Sequence, residues 1–125
     1  KIKNTIFDFE ENLADLINQS DLCITRAGAS TLAELSIMNK PFLTIPLSSA
    51  KDNHQFENAN FYQNLGCCWI MSQKDFNEVN LEKFLDQIIM NKSDYNIKKN
   101  NLEKHNFQNS WNDINQKILE TINEN

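Results

Sequence analysis

No apolar run in this chain approaches the roughly 18–20 residues that span a bilayer, so no transmembrane helix is expected. Basic blocks are missing too. Lys98-Lys99 is the longest basic run and the net charge is −5, so nucleic acid is not an expected partner. There are three cysteines, an odd number, with Cys67 and Cys68 adjacent and no metal-ligand spacing. A disulfide framework is therefore not expected, and a reducing cytoplasm is the default compartment. Internal repeats, low-complexity tracts and an interdomain linker are absent. The chain shows no signal peptide and does not begin with Met. It is expected to be a piece of a longer protein or a trimmed product.

What is present fits one domain or part of one: 125 residues, 40% of them apolar, enough for one core. The 20 Asn read as compositional bias. The chain is organised around Thr25-Arg26-Ala27-Gly28-Ala29-Ser30-Thr31-Leu32-Ala33-Glu34. Leu22-Cys23-Ile24 before it reads as a buried strand. Leu32, Leu35 and Met38 after it read as one face of a helix over about Ser30 to Asn39, which Pro41 ends. Gly28 between them can take a positive φ and leaves room for a ligand. Ser30 and Thr31 can cap the helix, and Thr31 with Glu34 has capping-box spacing. The open amides and partial positive charge of such a helix start suit a phosphate or diphosphate. The same residues also suit a plain strand–turn–helix. Glu34 then closes the capping box and Arg26 is a solvated loop charge.

Other elements follow in order. Lys1 to Phe9 reads as a strand, leaving into a loop at Asp8 to Glu11. Asn12 caps a helix to Ser20. Phe42-Leu43-Thr44-Ile45 is a buried strand stopped by Pro46. Asn53 starts a helix to about Leu65, with Gly66 as its C-terminal cap. Cys67-Cys68-Trp69-Ile70 is a further strand, and Ser72 to Asn80 a loop. Leu81 to Met90 is amphipathic, and two last helices cover about Asp94 to Lys104 and Trp111 to Ile122. All three cysteines read as small hydrophobes. Strands alternating with helices predict an α/β fold, a parallel sheet covered on both faces. Ligands in such sheets bind beyond the carboxyl ends of the strands. Asp8 to Glu11, Thr25 to Thr31 and Leu47 to Gln55 meet at that edge.

Arg26-Ala27-Gly28-Ala29-Ser30-Thr31-Leu32-Ala33-Glu34-Leu35, then Lys40-Pro41, Ile45-Pro46, and Asp52-Asn53-His54-Gln55 with Asn58-Ala59, closely resemble the carboxyl-terminal domain of the MurG family. That resemblance implies a Rossmann-like parallel sheet, part of the donor half of a two-domain GT-B glycosyltransferase. The family moves N-acetylglucosamine from UDP-N-acetylglucosamine to undecaprenyl-pyrophosphoryl-muramyl-pentapeptide, converting lipid I to lipid II in peptidoglycan synthesis.

By the same resemblance, Ala29, Ser30 and Thr31, with Gly28 beside them, hold the diphosphate, and Glu34 accepts hydrogen bonds from the ribose. Phe9 and Glu10 read the uracil through backbone groups. His54 and Gln55 contact the sugar hydroxyls, where a glutamine's ability to donate and accept suits vicinal hydroxyls. Arg26 positions the loop or neutralises phosphate charge. No cofactor is implied, and the lack of an Asp-x-Asp pair argues against a metal-dependent transferase. The acceptor-binding amino-terminal domain and the glycine-rich loop that opens the donor domain are missing. No catalytic base is assigned here, and the fragment alone is expected to be inactive. The resemblance places the intact protein on the cytoplasmic face of the membrane. Alternatives are a stand-alone donor-binding subunit of a split transferase, a UDP-sugar hydrolase or epimerase on the same fold, and an interaction domain with no UDP affinity.

Overall fold

The structure, a computed structural model, describes residues 13–49 and 53–123. Three strands, β1 (Cys23–Thr25), β2 (Phe42–Thr44) and β3 (Cys68–Ile70), form one parallel sheet in the order β1-β2-β3. Cys23 pairs with Phe42, and Phe42 with Cys68. The helices are α1 (Leu13–Gln19), α2 (Ala29–Ile37), α3 (Asn53–Asn64), α4 (Glu78–Met90) and α5 (Lys92–Asn123). Parallel neighbours need a crossover between them, and α2 and α3 are those crossovers. The strand expected over Lys1 to Phe9 lies outside the described residues.

Every residue of β2 is buried, as a central parallel strand must be. Side chains alternate across a strand, so Phe42 and Cys68 share one face. There they pack with Ala27, Leu32, Leu35 and Ala59. Phe42 meets Tyr62 of α3 edge to face, with ring centroids 5.7 Å apart. On the other face Trp69 meets Phe84 of α4 at 5.4 Å. Helices thus cover both faces at β3, while Ile24 of β1 stays 42% exposed.

Thr44 also lies on the Phe42 side and is fully buried, and its Oγ1 has no hydrogen-bond partner among the described residues. A buried hydroxyl without a partner has lost its hydration and regained nothing. Thr44→Val, nearly the same shape, should therefore stabilise the chain by about 1 kcal/mol in urea unfolding. A loss of stability would mean that the hydroxyl has a partner after all.

Helices α2 and α3 end alike. Lys40 N–H bonds the Leu35 carbonyl and Asn39 N–H that of Ser36. Cys67 N–H bonds Tyr62 and Gly66 N–H bonds Gln63. Both are Schellman endings, which place one residue in the left-handed region. Asn39 takes it at φ 57° and Gly66 at φ 71°. Gly66 is thus the cap the sequence predicts. The asparagine is a residue type that tolerates this region.

Helix α5 fastens these turns from below. Asn106 Nδ2 donates to the Ser36 carbonyl and to Asn39 Oδ1, both at 2.6 Å. Asn101 Nδ2 donates to the Gly66 carbonyl at 2.9 Å. Tyr95 donates its hydroxyl to the Asp21 carbonyl at 2.6 Å. Trp69 Nε1 donates to Asp94 Oδ2 at 2.9 Å, and Lys98 bridges to the other oxygen at 3.0 Å. Those two partners, Trp69 first, hold the Asp94 carboxyl below the usual range. Asp21, Asn39 and Gly66 each stand just ahead of a strand. A single helix therefore ties the entrances of all three strands, and several asparagines read as bias have definite structural work.

Two expectations about helices change. The last two helices are one, Lys92–Asn123. The apolar stripe lapses between Leu102 and Trp111, but no Gly or Pro breaks the helix there. Helix α4 starts at Glu78 instead of Leu81, because Asn77 caps it by accepting from Asn80 N–H at 2.9 Å. The cysteines are free. Burial pushes the Cys67 thiol up and that of Cys68 up to about 12, so both stay protonated as small apolar groups.

Candidate functional site

At the carboxyl ends of the strands three loops are cross-linked by side chains. Arg26 follows β1, and its Nη1 donates to the Ile45 carbonyl at 3.3 Å and to Gln73 Oε1 at 3.1 Å. Ile45 follows β2, and Gln73 lies in the loop after β3. The guanidinium is thus a brace across all three loops.

Ala27, the next residue, is fully buried and held at both ends by α3. Its N–H donates to Gln55 Oε1 at 3.3 Å, and its carbonyl accepts from Asn58 Nδ2 at 3.0 Å. Gln55 Oε1 also accepts from Leu47 N–H at 2.9 Å. Both partners are donors, so the orientation of the Gln55 amide is fixed. Its oxygen is spent on the loops, and only its NH2 is left for a ligand. The expectation that Gln55 both donates to and accepts from a sugar is corrected accordingly.

Helix α2 begins at Ala29 with Gly28 as N-cap, at φ −68° and ψ 139°, and no side chain among the described residues caps it. Three expectations fall here. Gly28 does not use a positive φ. Ser30 and Thr31 are not caps, because they already lie in the first turn. Glu34 stands six residues past the cap, too far to close a capping box. The first intrahelical bond runs from Leu32 N–H to the Gly28 carbonyl at 3.0 Å. The amides of Ala29, Ser30 and Thr31 precede it and have no intrahelical acceptor. All three residues are exposed. A Cβ on Gly28 would meet only Thr31 Oγ1, at 3.9 Å, so the space beside the cap is open. The sequence places the open helix start correctly and misjudges what leaves it open.

Glu34 is exposed one turn farther along α2. It lines a cleft of about 400 Å³ with Leu13, Ala14, Ile17, Ile37 and Met38. A carboxylate beside an apolar wall can meet a ligand that pairs hydroxyls with a flat ring. His54 is brought near Gln55 by sequence only. Its side chain is 87% exposed and lies 3.8 Å from Glu57. Phe9 and Glu10 lie outside the described residues. Asn58, quoted above with Ala59 for the resemblance but given no site role, and Gln73 also take part in this arrangement. Asn58 sits one turn after Gln55, the spacing that lets two side chains grip one backbone segment. Nothing in the sequence marks Gln73. The groups described are backbone donors and one amide, which can donate to an anion, and one carboxylate, which can accept from hydroxyls.

Comparison with known proteins agrees with this geometry. Residues 1–118 match the model of the glycosyltransferase family 28 C-terminal domain. The UDP-N-acetylglucosamine–N-acetylmuramyl-(pentapeptide) pyrophosphoryl-undecaprenol N-acetylglucosamine transferase of Pelagibacter ubique is 51% identical over 124 residues, covering 99% of this chain and 35% of that protein. The Rickettsia bellii protein of the same name is 39% identical over 90 residues, 72% of this chain and 25% of its own. The crystal structure of Acinetobacter baumannii MurG superposes with a TM-score of 0.65 at 29% identity, over 82% of this chain and 28% of that one. The chain spans about a third of the length of its Pelagibacter relative. With its parallel sheet, its open helix start and this match over nearly its whole length, the chain belongs to glycosyltransferase family 28, in the carboxyl-terminal domain of that family.

Proposed function

We propose that this chain is the donor-holding part of an inverting transferase that takes N-acetylglucosamine from UDP-N-acetylglucosamine. The observation that carries the reading is the first turn of α2, with no side-chain cap among the described residues and no intrahelical acceptor for its amides, and Ala27 before it pinned by Gln55 and Asn58. The Ala29, Ser30 and Thr31 amides bind the diphosphate, with Gly28 giving it room. Glu34 accepts from the ribose hydroxyls, and the neighbouring apolar cleft borders the nucleoside. Phe9 and Glu10 read the uracil edge by backbone groups. Gln55 donates to a sugar oxygen through its NH2, and His54 adds an exposed contact.

In the intact protein an acceptor hydroxyl displaces UDP in one step. The share of this domain is to orient the donor and to stabilise charge growing on the leaving diphosphate by amides fixed beforehand. The relatives' names point to a lipid-linked muramyl-pentapeptide acceptor. A further amino-terminal domain binds it and supplies the base, on the cytoplasmic face of the membrane. Among the described residues no helix is long and apolar enough to cross that membrane.

Calorimetric titration of the intact protein tests this. UDP-N-acetylglucosamine should bind and UDP-glucose should bind less well; equal affinity and turnover would defeat the sugar assignment. Gln55→Ala should lower affinity for UDP-N-acetylglucosamine about tenfold, the worth of one hydrogen bond. UDP itself should lose less. An equal loss on both ligands would leave Gln55 as a loop clamp alone.

A further inference from the structure

We infer that Asn58 is a positioning residue for the diphosphate, acting through the peptide plane between Ala27 and Gly28; this rests on the nucleotide-sugar reading above. A trans peptide is planar, with its carbonyl and its N–H pointing in opposite directions. Asn58 Nδ2 holds the Ala27 carbonyl toward α3 at 3.0 Å. The other end of that plane is the Gly28 N–H, which is thereby turned away from α3. Gly28 is the N-cap of α2, so this N–H is one of the four donors that a helix start leaves without intrahelical partners.

Glycine makes the hold necessary. It enters left-handed backbone as readily as right-handed, so the Ala27–Gly28 plane can turn over at small cost. A turned plane would aim the Ala27 carbonyl, an electron-rich oxygen, where the phosphate oxygens go. Gln55 does not prevent this, because it grips the Ala27 N–H, which belongs to the preceding plane. Asn58 alone holds the carbonyl among the described residues. It also lines a hollow with Ala29, Glu57, Phe61 and Tyr62, beside the first residue of α2.

The test compares UDP with uridine, which lacks phosphates, on the intact protein and its Asn58→Ala variant. Asn58→Ala should bind UDP roughly tenfold more weakly and uridine within about twofold of wild type. Asn58→Asp keeps the shape and replaces the donor by an acceptor facing the carbonyl, and its loss on UDP should be at least as large. In amide NMR spectra the Gly28 signal should move when pyrophosphate is added to wild type and stay still in Asn58→Ala. Parallel losses on UDP and uridine, unchanged UDP affinity, or two variants unfolded at 25 °C would each overturn the role of Asn58. Wild type binding UDP no better than uridine would instead overturn the diphosphate reading itself.

Discussion

Glu34→Ala in the intact protein should weaken UDP binding by roughly 30- to 150-fold while leaving the melting temperature nearly unchanged. A carboxylate that accepts from two ribose hydroxyls makes charge-assisted bonds, and losing it costs about 2–3 kcal/mol. Stability should hold because Glu34 is exposed and does not cap α2. The structure leaves no capping role for Glu34, and the ribose contact is what the titration tests. Titration with UDP and with uracil checks the assignment. Uracil lacks the ribose and should bind the variant and wild type alike. A variant that melts early yet binds UDP normally would return Glu34 to a structural part.

Gly66→Ala should cost about 2–3 kcal/mol of folding free energy. Gly66 sits at φ 71° and a Cβ there would lie 2.6 Å from Asn101 Nδ2. The left-handed backbone alone costs an alanine roughly 1–2 kcal/mol. Asn101 can swing aside, but it then gives up its bond to the Gly66 carbonyl, worth about 1 kcal/mol. Urea unfolding of both single variants and the double variant separates these costs. Residues in contact are not additive, so Asn101→Ala should cost less in the Gly66→Ala background than alone. Strict additivity would mean that the two sites do not communicate.

Much of the fold was legible because the strands are short apolar runs bounded by breakers. Leu22 to Thr25 against Cys23–Thr25, and Phe42 to Ile45 against Phe42–Thr44, differ only at fraying ends. The Gly66 cap was legible because local backbone geometry demands it. The lacing by Asn101 and Asn106 was not, since nothing local tells a bonding asparagine from a solvated one across 35 or 67 residues. The site divides in the same way. The open start of α2 is local and was found. The turn of the Gln55 amide and the grip of Asn58 depend on where α3 lies against the β1–α2 loop, a tertiary fact. Gly28 does not use the positive φ that glycine permits, since permission is not a requirement.

The route of α5 bears on how the chain could be shortened. A terminus placed before Asn101 would remove the donors that reach the Gly66, Ser36 and Asn39 oxygens. The Ser36 carbonyl would keep only its bond from Asn39 N–H and the Gly66 carbonyl would turn to water, so the segments leading into β2 and β3 would open more often. A protease should cut such a product first at these bends, on the edge opposite the carboxyl ends of the strands, so resistance to digestion would report how much of α5 a viable boundary must keep.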